Sequence, residues 1–352
     1  MGKYTAIDDP SAFFQTALYT GNGGTLAVTN DGNSDLQPDW VWTKKRSDTS
    51  HHALVDSSRG ATKQIYTNLT AAEETVSGVT AFNTDGFTLG SNGTANLNGA
   101  TFVGWQWKCN GGSTSTNTDG SINTTVQSNS TAGFNIITYT GTGGGETLGH
   151  NLGVAPDMWI IKRRSGTGSW AVGFNDSSIL GGTSNYLILQ SEGATSTYNN
   201  FWGSSPANSN VMRIAGDATI GGSGSTYVAY VFAQKQGYSK FGKYKGNGSA
   251  DGTFVYTGFK PAWVMVKNAT DSGVSWMIQD HKRDIDNPVH HRMKANDSAA
   301  EATNLNQMDF LSNGFKCRVN DSSWNLSGKT YIYMAFAENP FVTSTGIMGT
   351  AR

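Results

Sequence analysis

Cysteine is almost absent from this chain. Its 352 residues include two cysteines, which excludes a small scaffold held together by several disulfides. Cys317 alternates with Phe315 and Val319 on one face of an expected strand, while Cys109 stands beside Asn110 and a pair of glycines. Both are therefore expected to be free thiols, with Cys317 buried.

Charge is also scarce, and it is nearly balanced. Charged residues make up 14% of the chain, and 25 basic side chains oppose 26 acidic ones. This balance provides no overall electrostatic attraction to nucleic acid or to a membrane surface. Partners therefore have to be recognised locally, and neither nucleic-acid binding nor membrane insertion is expected.

Long apolar runs are missing as well. No stretch approaches the ~18 apolar residues that suggest a membrane-spanning helix. The segment from Met1 to Phe14 has neither a basic start nor an apolar stretch, unlike a secretory signal. These features favour synthesis in a cytoplasm.

Glycine, serine, threonine and asparagine are abundant instead. Glycine alone occurs 44 times, and this composition is typical of short strands joined by many turns. The length is sufficient for two or three domains, each with its own core. The composition therefore predicts an all-β chain of more than one domain.

Three short motifs occur in the same order three times. An aromatic residue before a glycine turn comes first, at Tyr19, Tyr139 and Tyr244. A proline that leads an apolar strand, with lysine six residues later, comes second, at Pro38, Pro156 and Pro261. A Gly-x-Thr-aromatic motif comes last, at Gly99, Gly224 and Gly328. Repetition in a fixed register indicates three copies of one domain.

The strands that follow the second and third motifs have different apolar patterns. Residues 103–107 place their valine and tryptophans on one face, as a strand against a core requires, and the other copies do the same. The strand after each proline is apolar on both faces, for example at residues 263–266. A loop, a helix or another domain is therefore expected to cover its outer face.

The motifs also divide the chain. They predict antiparallel β-sandwiches at residues 1–110, 132–238 and 239–345, and a C-terminal tail at 346–352. Residues 111–131, nearly all glycine, serine, threonine and asparagine, are expected to form a flexible linker. Copies two and three have no such spacer, so they are expected to form a rigid pair with copy one more loosely placed.

A possible helix start occurs in two of the copies. Thr70-Ala71-Ala72-Glu73 and Ser298-Ala299-Ala300-Glu301 both fit the capping box Ser/Thr-x-x-Glu, in which two side chains satisfy two free amides. Each is expected to begin a short helix. Copy two lacks the motif, and a loop is expected there.

Several segments resemble a known family. They are the opening Asp9 to Gln15, the passage from Gly237 to Gly252, the sequence Phe336 to Phe341 and the final Thr350-Ala351-Arg352. They are similar to a repeated β domain of uncharacterised function in structural proteins of marine tailed bacteriophages, often described as tail-fibre or appendage proteins. The resemblance implies tandem sandwiches of jelly-roll or concanavalin-like type, a place on the virion after assembly in the host bacterial cytoplasm, and no catalytic residues. It also favours a homo-oligomer, with a trimer as the expected number.

Candidate chemical groups are few. The adjacent histidines at 51–52 and 290–291 point to opposite faces of an extended chain, so neither pair is expected to hold a metal, and both are expected to be surface residues. Six glutamates are present, and two belong to the capping boxes, which leaves no specified carboxylate pair for glycan cleavage. No catalytic residue, metal or cofactor is expected.

Two further sets of residues allow a binding role. Basic runs at 44–46, 162–164 and 281–283 are interpreted as solvated turns, with binding of anionic polymers as the alternative. Trp202 and Trp324 are the candidate residues for stacking on sugar rings.

The expected function is therefore that of a non-enzymatic virion structural protein. It is expected to be exposed as a tail-fibre or appendage component, to contact other virion proteins, and to contribute to host attachment through a bacterial surface glycan. A head decoration protein, a carbohydrate-binding module and a polysaccharide depolymerase are the alternatives.

Overall fold

The computed structural model describes residues 4–303 and 305–349. Residues 350–352 of the expected C-terminal tail lie outside this part of the chain. Among the described residues, no helix has both the length and the apolar character needed to cross a bilayer.

Copy one begins with a 3-10 helix at Pro10–Ala12 and is otherwise built mainly from strands. These are β1 (Phe14–Thr20), β2 (Leu26–Val28), β3 (Trp40–Lys45), β4 (Ala53–Asp56), β5 (Lys63–Tyr66), β6 (Glu74–Thr75), β7 (Val79–Phe82), β8 (Phe87–Leu89) and β9 (Thr101–Trp107). A short helix, α1 (Gly93–Asn96), precedes β9. The large sheet has the order β1-β9-β3-β4-β5-β6, and the small sheet has the order β2-β8-β7.

Copy two has a similar arrangement with two additional strands at its start. Its strands are β10 (Ser115–Asn117), β11 (Thr124–Asn129), β12 (Phe134–Thr140), β13 (Glu146–Gly149), β14 (Met158–Arg163), β15 (Trp170–Phe174), β16 (Asn185–Ile188), β17 (Ser196–Thr197), β18 (Val211–Ile214) and β19 (Thr226–Phe232). Helix α2 (Ser177–Leu180) follows β15. The two sheets have the orders β10-β11-β12-β19-β14-β15-β16-β17 and β13-β18.

Copy three completes the chain. Its strands are β20 (Ser239–Lys245), β21 (Phe254–Tyr256), β22 (Phe259–Asn268), β23 (Met277–Asp280), β24 (Met293–Lys294), β25 (Met308–Leu311), β26 (Gly314–Cys317) and β27 (Thr330–Pro340). The large sheet has the order β20-β27-β22-β23-β24, and the small sheet has the order β21-β26-β25.

The same five-strand order occurs in all three large sheets. It is β1-β9-β3-β4-β5 in copy one, β12-β19-β14-β15-β16 in copy two and β20-β27-β22-β23-β24 in copy three. The strands paired within these sheets are antiparallel. The expected all-β antiparallel class is confirmed, and the strands associated with the three prolines occupy equivalent places.

The recurring tyrosine and glycine have a shared structural reason. The hydroxyls of Tyr19, Tyr139 and Tyr244 donate to the carbonyls of Ala95, Ile220 and Trp324 at 2.9, 2.6 and 2.7 Å. Each tyrosine also stacks on the aromatic residue of the third motif, with ring centroids 5.0 to 5.2 Å apart. Gly99, Gly224 and Gly328 all adopt positive φ values, which glycine tolerates without strain.

The apolar residues after each proline are covered on both faces, as their pattern predicts, although Pro261 lies within β22 and does not precede it. In β14, Met158 and Ile160 face a central core that is shared with the other copies, whereas Trp159 and Ile161 face the small sheet of copy two. The other two copies follow the same alternation. The outer cover that the sequence requires is therefore supplied by the chain's own other copies.

The shared core differs from the expected row of separate domains. It contains Trp40 from copy one, Tyr230 from copy two and Trp263 from copy three in a single cluster of buried residues. Copy one therefore packs against both other copies, and it is not the loosely placed member of the chain.

Residues 111–131 also differ from expectation, because they include β10 and β11 in place of a continuous flexible linker. Strand β11 pairs with β12 and extends the large sheet of copy two. Gln127 is fully buried and donates to the hydroxyls of Ser57 and Ser58 in copy one at 2.9 and 2.7 Å. Hydrogen bonds of this kind order a segment that has few apolar side chains.

The two capping boxes do not begin helices. The backbone from Thr70 to Glu73 and from Ser298 to Glu301 has no helical turn. Their glutamates pair instead with arginines of a neighbouring copy. The cysteine prediction is confirmed, because Cys109 and Cys317 are both free and buried.

Candidate functional site

The three copies meet in a cluster of aromatic rings. Trp107, Phe232 and Phe336 occupy the same position of β9, β19 and β27, opposite Trp40, Met158 and Trp263 of the proline strands. The ring centroid of Phe336 lies 5.6 Å from that of Trp107 and 6.1 Å from that of Phe232. Equivalent residues of three copies are therefore in contact at one centre.

Backbone hydrogen bonds connect the copies in a closed ring. The amides of Glu73, Thr195 and Glu301 donate to the carbonyls of Arg164, Ala269 and Arg46, each at 3.0 Å. Copy one thus contacts copy two, copy two contacts copy three, and copy three contacts copy one. A second equivalent set joins Gly168 to Thr70, Gly273 to Glu192 and Ser50 to Ser298 at 2.8 to 2.9 Å. This cyclic order gives the chain an approximate threefold arrangement.

The contact of copies one and two contains a buried charged network. Asp56 pairs with Arg59 and also accepts from the hydroxyl of Tyr230 at 2.7 Å. The carboxylate of Glu73 forms ion pairs with the guanidinium groups of Arg59 and Arg164, at N–O distances of 2.8 and 2.9 Å. Burial alone would raise the pKa of the Glu73 carboxyl, but these two guanidinium groups hold that pKa below its usual range.

The contact of copies three and one repeats this network. Asp280 pairs with Arg283 at 2.6 Å and accepts from the indole Nε1 of Trp105 at 2.9 Å. Burial opposes ionisation of Asp280, yet Arg283 and the hydrogen bonds lower its pKa. The carboxylate of Glu301 forms an ion pair with the guanidinium group of Arg46 at an N–O distance of 2.7 Å. The two networks therefore occupy equivalent positions at their respective contacts.

The contact of copies two and three is the apolar version of this arrangement. The positions of Asp56 and Tyr230 correspond by register to Phe174 and Met334, which are both buried in the shared core. Glu192 accepts from the hydroxyl of Ser275 across this contact. The ring is therefore closed by two charged contacts and one mainly apolar contact.

The lysine at the end of each proline strand is buried at these contacts. The ammonium of Lys162 donates to the carbonyls of Gly168 and Thr70 at 2.8 and 3.0 Å, and Lys44 reaches the carbonyl of Ser298 at 3.3 Å. Lys267 donates to the carbonyl of Asn268 at 2.6 Å. Desolvation lowers the pKa of each of the three lysines to about 8.

Each of these lysines contributes stability that rises with pH between about 8 and about 10. The folded-state pKa lies below the unfolded value of 10.5, so in this window the unfolded lysine binds more protons and rising pH favours the folded chain. The buried thiols of Cys109 and Cys317 have raised pKa values and oppose this rise, so the lysine contribution is measured as the difference between the original chain and Lys162→Met. From pH 8 to 9.5 the free energy of unfolding, measured by urea titration, should change less favourably in Lys162→Met than in the original chain, by about 1 kcal/mol or more. Parallel pH profiles of the two chains would contradict the buried position of the Lys162 ammonium group.

The basic runs of the sequence belong mainly to these contacts, not to solvated turns. Lys44 and Lys162 are fully buried, and Arg46 and Arg164 are engaged by glutamates of the next copy. The third run is not their counterpart, since Arg283 corresponds in the network to Arg59. These arginines and buried lysines are therefore engaged within the protein and unavailable to an anionic polymer.

Of the four histidines expected at the surface, His51 is exposed, His290 and His291 are half-buried, and the prediction is wrong for His52. His52 is fully buried and accepts from the indole Nε1 of Trp42 at 2.9 Å, so it is not a surface residue. His291 lies 2.6 Å from a carboxylate oxygen of Asp284. Within residues 4–303 and 305–349, no group of three histidine, cysteine, aspartate or glutamate side chains is arranged to hold a metal ion.

The two candidate sugar-stacking residues lie inside the protein. Trp202 is 2% exposed and packs at 5.3 Å from Trp159, and Trp324 is fully buried in the core of copy three. Neither ring is available at the surface, because each fills the space between a large and a small sheet. The exposed aromatic residues include Phe254 and Tyr256 on β21, and no motif in the sequence distinguishes them.

A family model described as "Domain of unknown function (DUF7483)" matches residues 9–340. This span includes the large sheets and all three contacts of the ring. No curated protein and no solved structure matches the chain. The comparisons therefore supply a family without an activity.

Proposed function

We propose that this chain, which belongs to the family described as a domain of unknown function (DUF7483), is a non-enzymatic structural protein of a bacteriophage particle. It is exposed there as a component of a tail fibre or appendage and contributes to attachment to the host cell. The single observation that carries the proposal is the closed ring of three copies around one core.

A particle component has to hold its shape while other proteins bind to it. The ring supports such a role because the buried carboxylates Asp56 and Asp280 are both paired within the protein, and the chain's largest aromatic side chains fill cores. The buried charged groups stabilise the contacts between the copies. The outer faces of the ring remain accessible to partner proteins.

The family resemblance favours a homotrimer, but the chain itself provides the cover that its two-faced apolar strands require. We propose that the chain contributes a threefold-like unit on its own, and that any further oligomer forms through its outer faces. Sedimentation of the purified chain, alone and with neighbouring particle proteins, measures this directly.

The experiment that tests the function is labelling of intact particles. Antibodies raised against the purified chain should bind to the tail region of phage particles in electron micrographs, and prior absorption with the chain should abolish the label. Label confined to the head would favour the decoration alternative. A chain that is present in infected cells but missing from purified particles would contradict a structural role.

A glycan role needs a separate measurement. The tryptophans expected to bind sugar are buried, so binding to a glycan array would have to use other residues. Release of reducing ends from host polysaccharide by the purified chain would replace the structural proposal with the depolymerase alternative.

A further inference from the structure

One side of the copy-two sandwich is closed by a segment that the other copies do not have. Strand β11 pairs with β12 at the edge of the large sheet, through Gln127 opposite Ile136 and Thr125 opposite Thr138. The same segment contacts the small sheet, because the hydroxyl of Thr124 donates to the carbonyl of Gly149 in β13 at 2.9 Å. An added strand therefore bridges the two sheets.

Copy three has the same side open. Strands β20 and β21 correspond to β12 and β13 in chain order, and within the described chain β20 is hydrogen-bonded as a strand to β27 alone. A groove of about 410 Å³ lies between β20 and β21 and extends to helix α2 of copy two. We define this as the β20 groove, lined by Phe241, Lys243, Tyr256 and Ser178, among others.

The backbone at the edge of this groove is directed outward. The carbonyl of Tyr238 accepts from Ala337 and the amide of Gly246 donates to Lys329, so the even-numbered residues of β20 bond to β27. Phe241 and Lys243 therefore point their amides and carbonyls away from β27. No backbone group in the described part of the chain bonds to these amides and carbonyls, and the side-chain ammonium of Lys243 donates separately to the carbonyl of Ser178. Their counterparts in copy two, Ile136 and Thr138, are the residues that pair with β11.

The charge of the groove favours one kind of strand. Lys243 and Lys245 are exposed on β20, and Lys240 lies 5.3 Å above the ring of Tyr256. Asp176 is the acidic residue in the lining. A strand with carboxylates facing both lysines would replace the bond from Lys243 to the carbonyl of Ser178 by a cross-strand ion pair and would add a second ion pair at Lys245.

We propose that the β20 groove binds an extended acidic peptide segment of a partner protein, which adds to β20 as a strand. Main-chain hydrogen bonds to Phe241 and Lys243 supply the affinity, and the lysines select acidic side chains. The inference deepens the proposed assembly role and rests on it for the origin of the peptide. The intramolecular precedent is β11, which fills the equivalent place in copy two.

The probe for this proposal is a synthetic peptide derived from the chain itself. It has the sequence of residues 121–131 with Asn123→Glu and Thr125→Glu, which places the two carboxylates opposite the positions of Lys245 and Lys243 in the β11 register. Fluorescence anisotropy with the full chain measures its dissociation constant. The control peptide carries N-methyl groups on the amides of residues 125 and 127, which removes the ladder donors.

Two protein variants test the edge. Lys243→Pro removes an outward amide without removing a bond to β27 and should weaken binding at least tenfold. Lys243→Glu keeps the amide, and it should also weaken binding of the acidic peptide. Leu18→Pro is the matched control, because Leu18 occupies the same outward position on β1. It should change the dissociation constant less than twofold.

Hydrogen exchange separates edge pairing from other contacts. The acidic peptide should slow exchange of the Phe241 and Lys243 amides, and the N-methylated peptide should not. Equal binding of both peptides, or no effect of either Lys243 variant, would overturn the proposal. Self-association of Lys243→Glu without peptide binding by the original chain would also overturn it, since the lysines would then only protect the edge. If the chain binds the peptide but is missing from phage particles, the proposed function is refuted and the proposed peptide binding at the β20 groove still holds.

Discussion

Replacing Trp107 with alanine should lower the free energy of unfolding by about 3–5 kcal/mol, the range for truncating a large buried aromatic side chain. Trp107 is 1% exposed, and its ring centroid lies 4.3 Å from that of Trp40 and 5.6 Å from those of Trp263 and Phe336. The cavity would therefore open where copies one and three meet. Urea unfolding followed by tryptophan fluorescence measures the loss.

The matched control for this prediction is Trp324→Ala. Trp324 is also fully buried, but it lies between the two sheets of copy three and outside the shared core. Hydrogen exchange should accelerate in all three copies of Trp107→Ala, and mainly in copy three of Trp324→Ala. Acceleration confined to copy one in Trp107→Ala would contradict a shared core.

Arg59→Met should destabilise the chain by a similar amount, about 3–5 kcal/mol, because it leaves a buried carboxylate without its partner. The side chains of Arg59 and Asp56 are both completely buried, and Arg59 also bridges to Glu73. Thermal or urea unfolding gives the difference. Arg318→Met is the control, since Arg318 is 40% exposed and pairs with exposed Asp251, and it should change stability by less than ~1 kcal/mol.

A triple variant tests whether charge itself is needed at this contact. The combination Asp56→Phe, Arg59→Ser and Tyr230→Met copies the residues found at the contact of copies two and three. Replacement of a buried ion pair by packed apolar groups is often neutral, so the triple variant should recover most of the stability that Arg59→Met loses. A further loss would show that the charged network is indispensable.

The repeat and its apolar alternation could be predicted from the sequence because each residue pattern has one structural solution. A strand that is apolar on both faces, such as residues 263–266, has to be covered twice. The local sequence pattern does not show which element covers the second face. That cover comes from the other copies of the chain and depends on contacts between residues far apart in sequence, which local patterns do not predict.

The contacts of the ring were missed for a related reason. Thr70 to Glu73 and Ser298 to Glu301 are shared by two copies, and this repetition was a correct signal that the glutamates have a common role. A capping box was the nearest local explanation. The actual partners, Arg164 and Arg46, are distant in sequence, and only the folded ring brings them within 3 Å of the glutamates.

Residues 111–131 show the limit of composition as a guide. Polar segments are usually flexible because they cannot bury enough apolar surface. Here the buried amide of Gln127 bonds to two serines of copy one, and Val126 is 1% exposed. An available sheet edge provided the partner that composition alone does not reveal. The same reasoning explains why Trp202 and Trp324 are sugar-stacking candidates in the sequence although both are buried, since their loop-like surroundings in sequence conceal the small sheets that enclose them.

Three copies around one core are expected to unfold as a single unit, and differential scanning calorimetry tests this most directly. The full chain should show one transition whose calorimetric enthalpy equals its van't Hoff enthalpy, and Trp107→Ala should shift that whole transition to lower temperature. Two or three separable transitions, with only one moved by Trp107→Ala, would show that the copies are independent domains and would contradict the account.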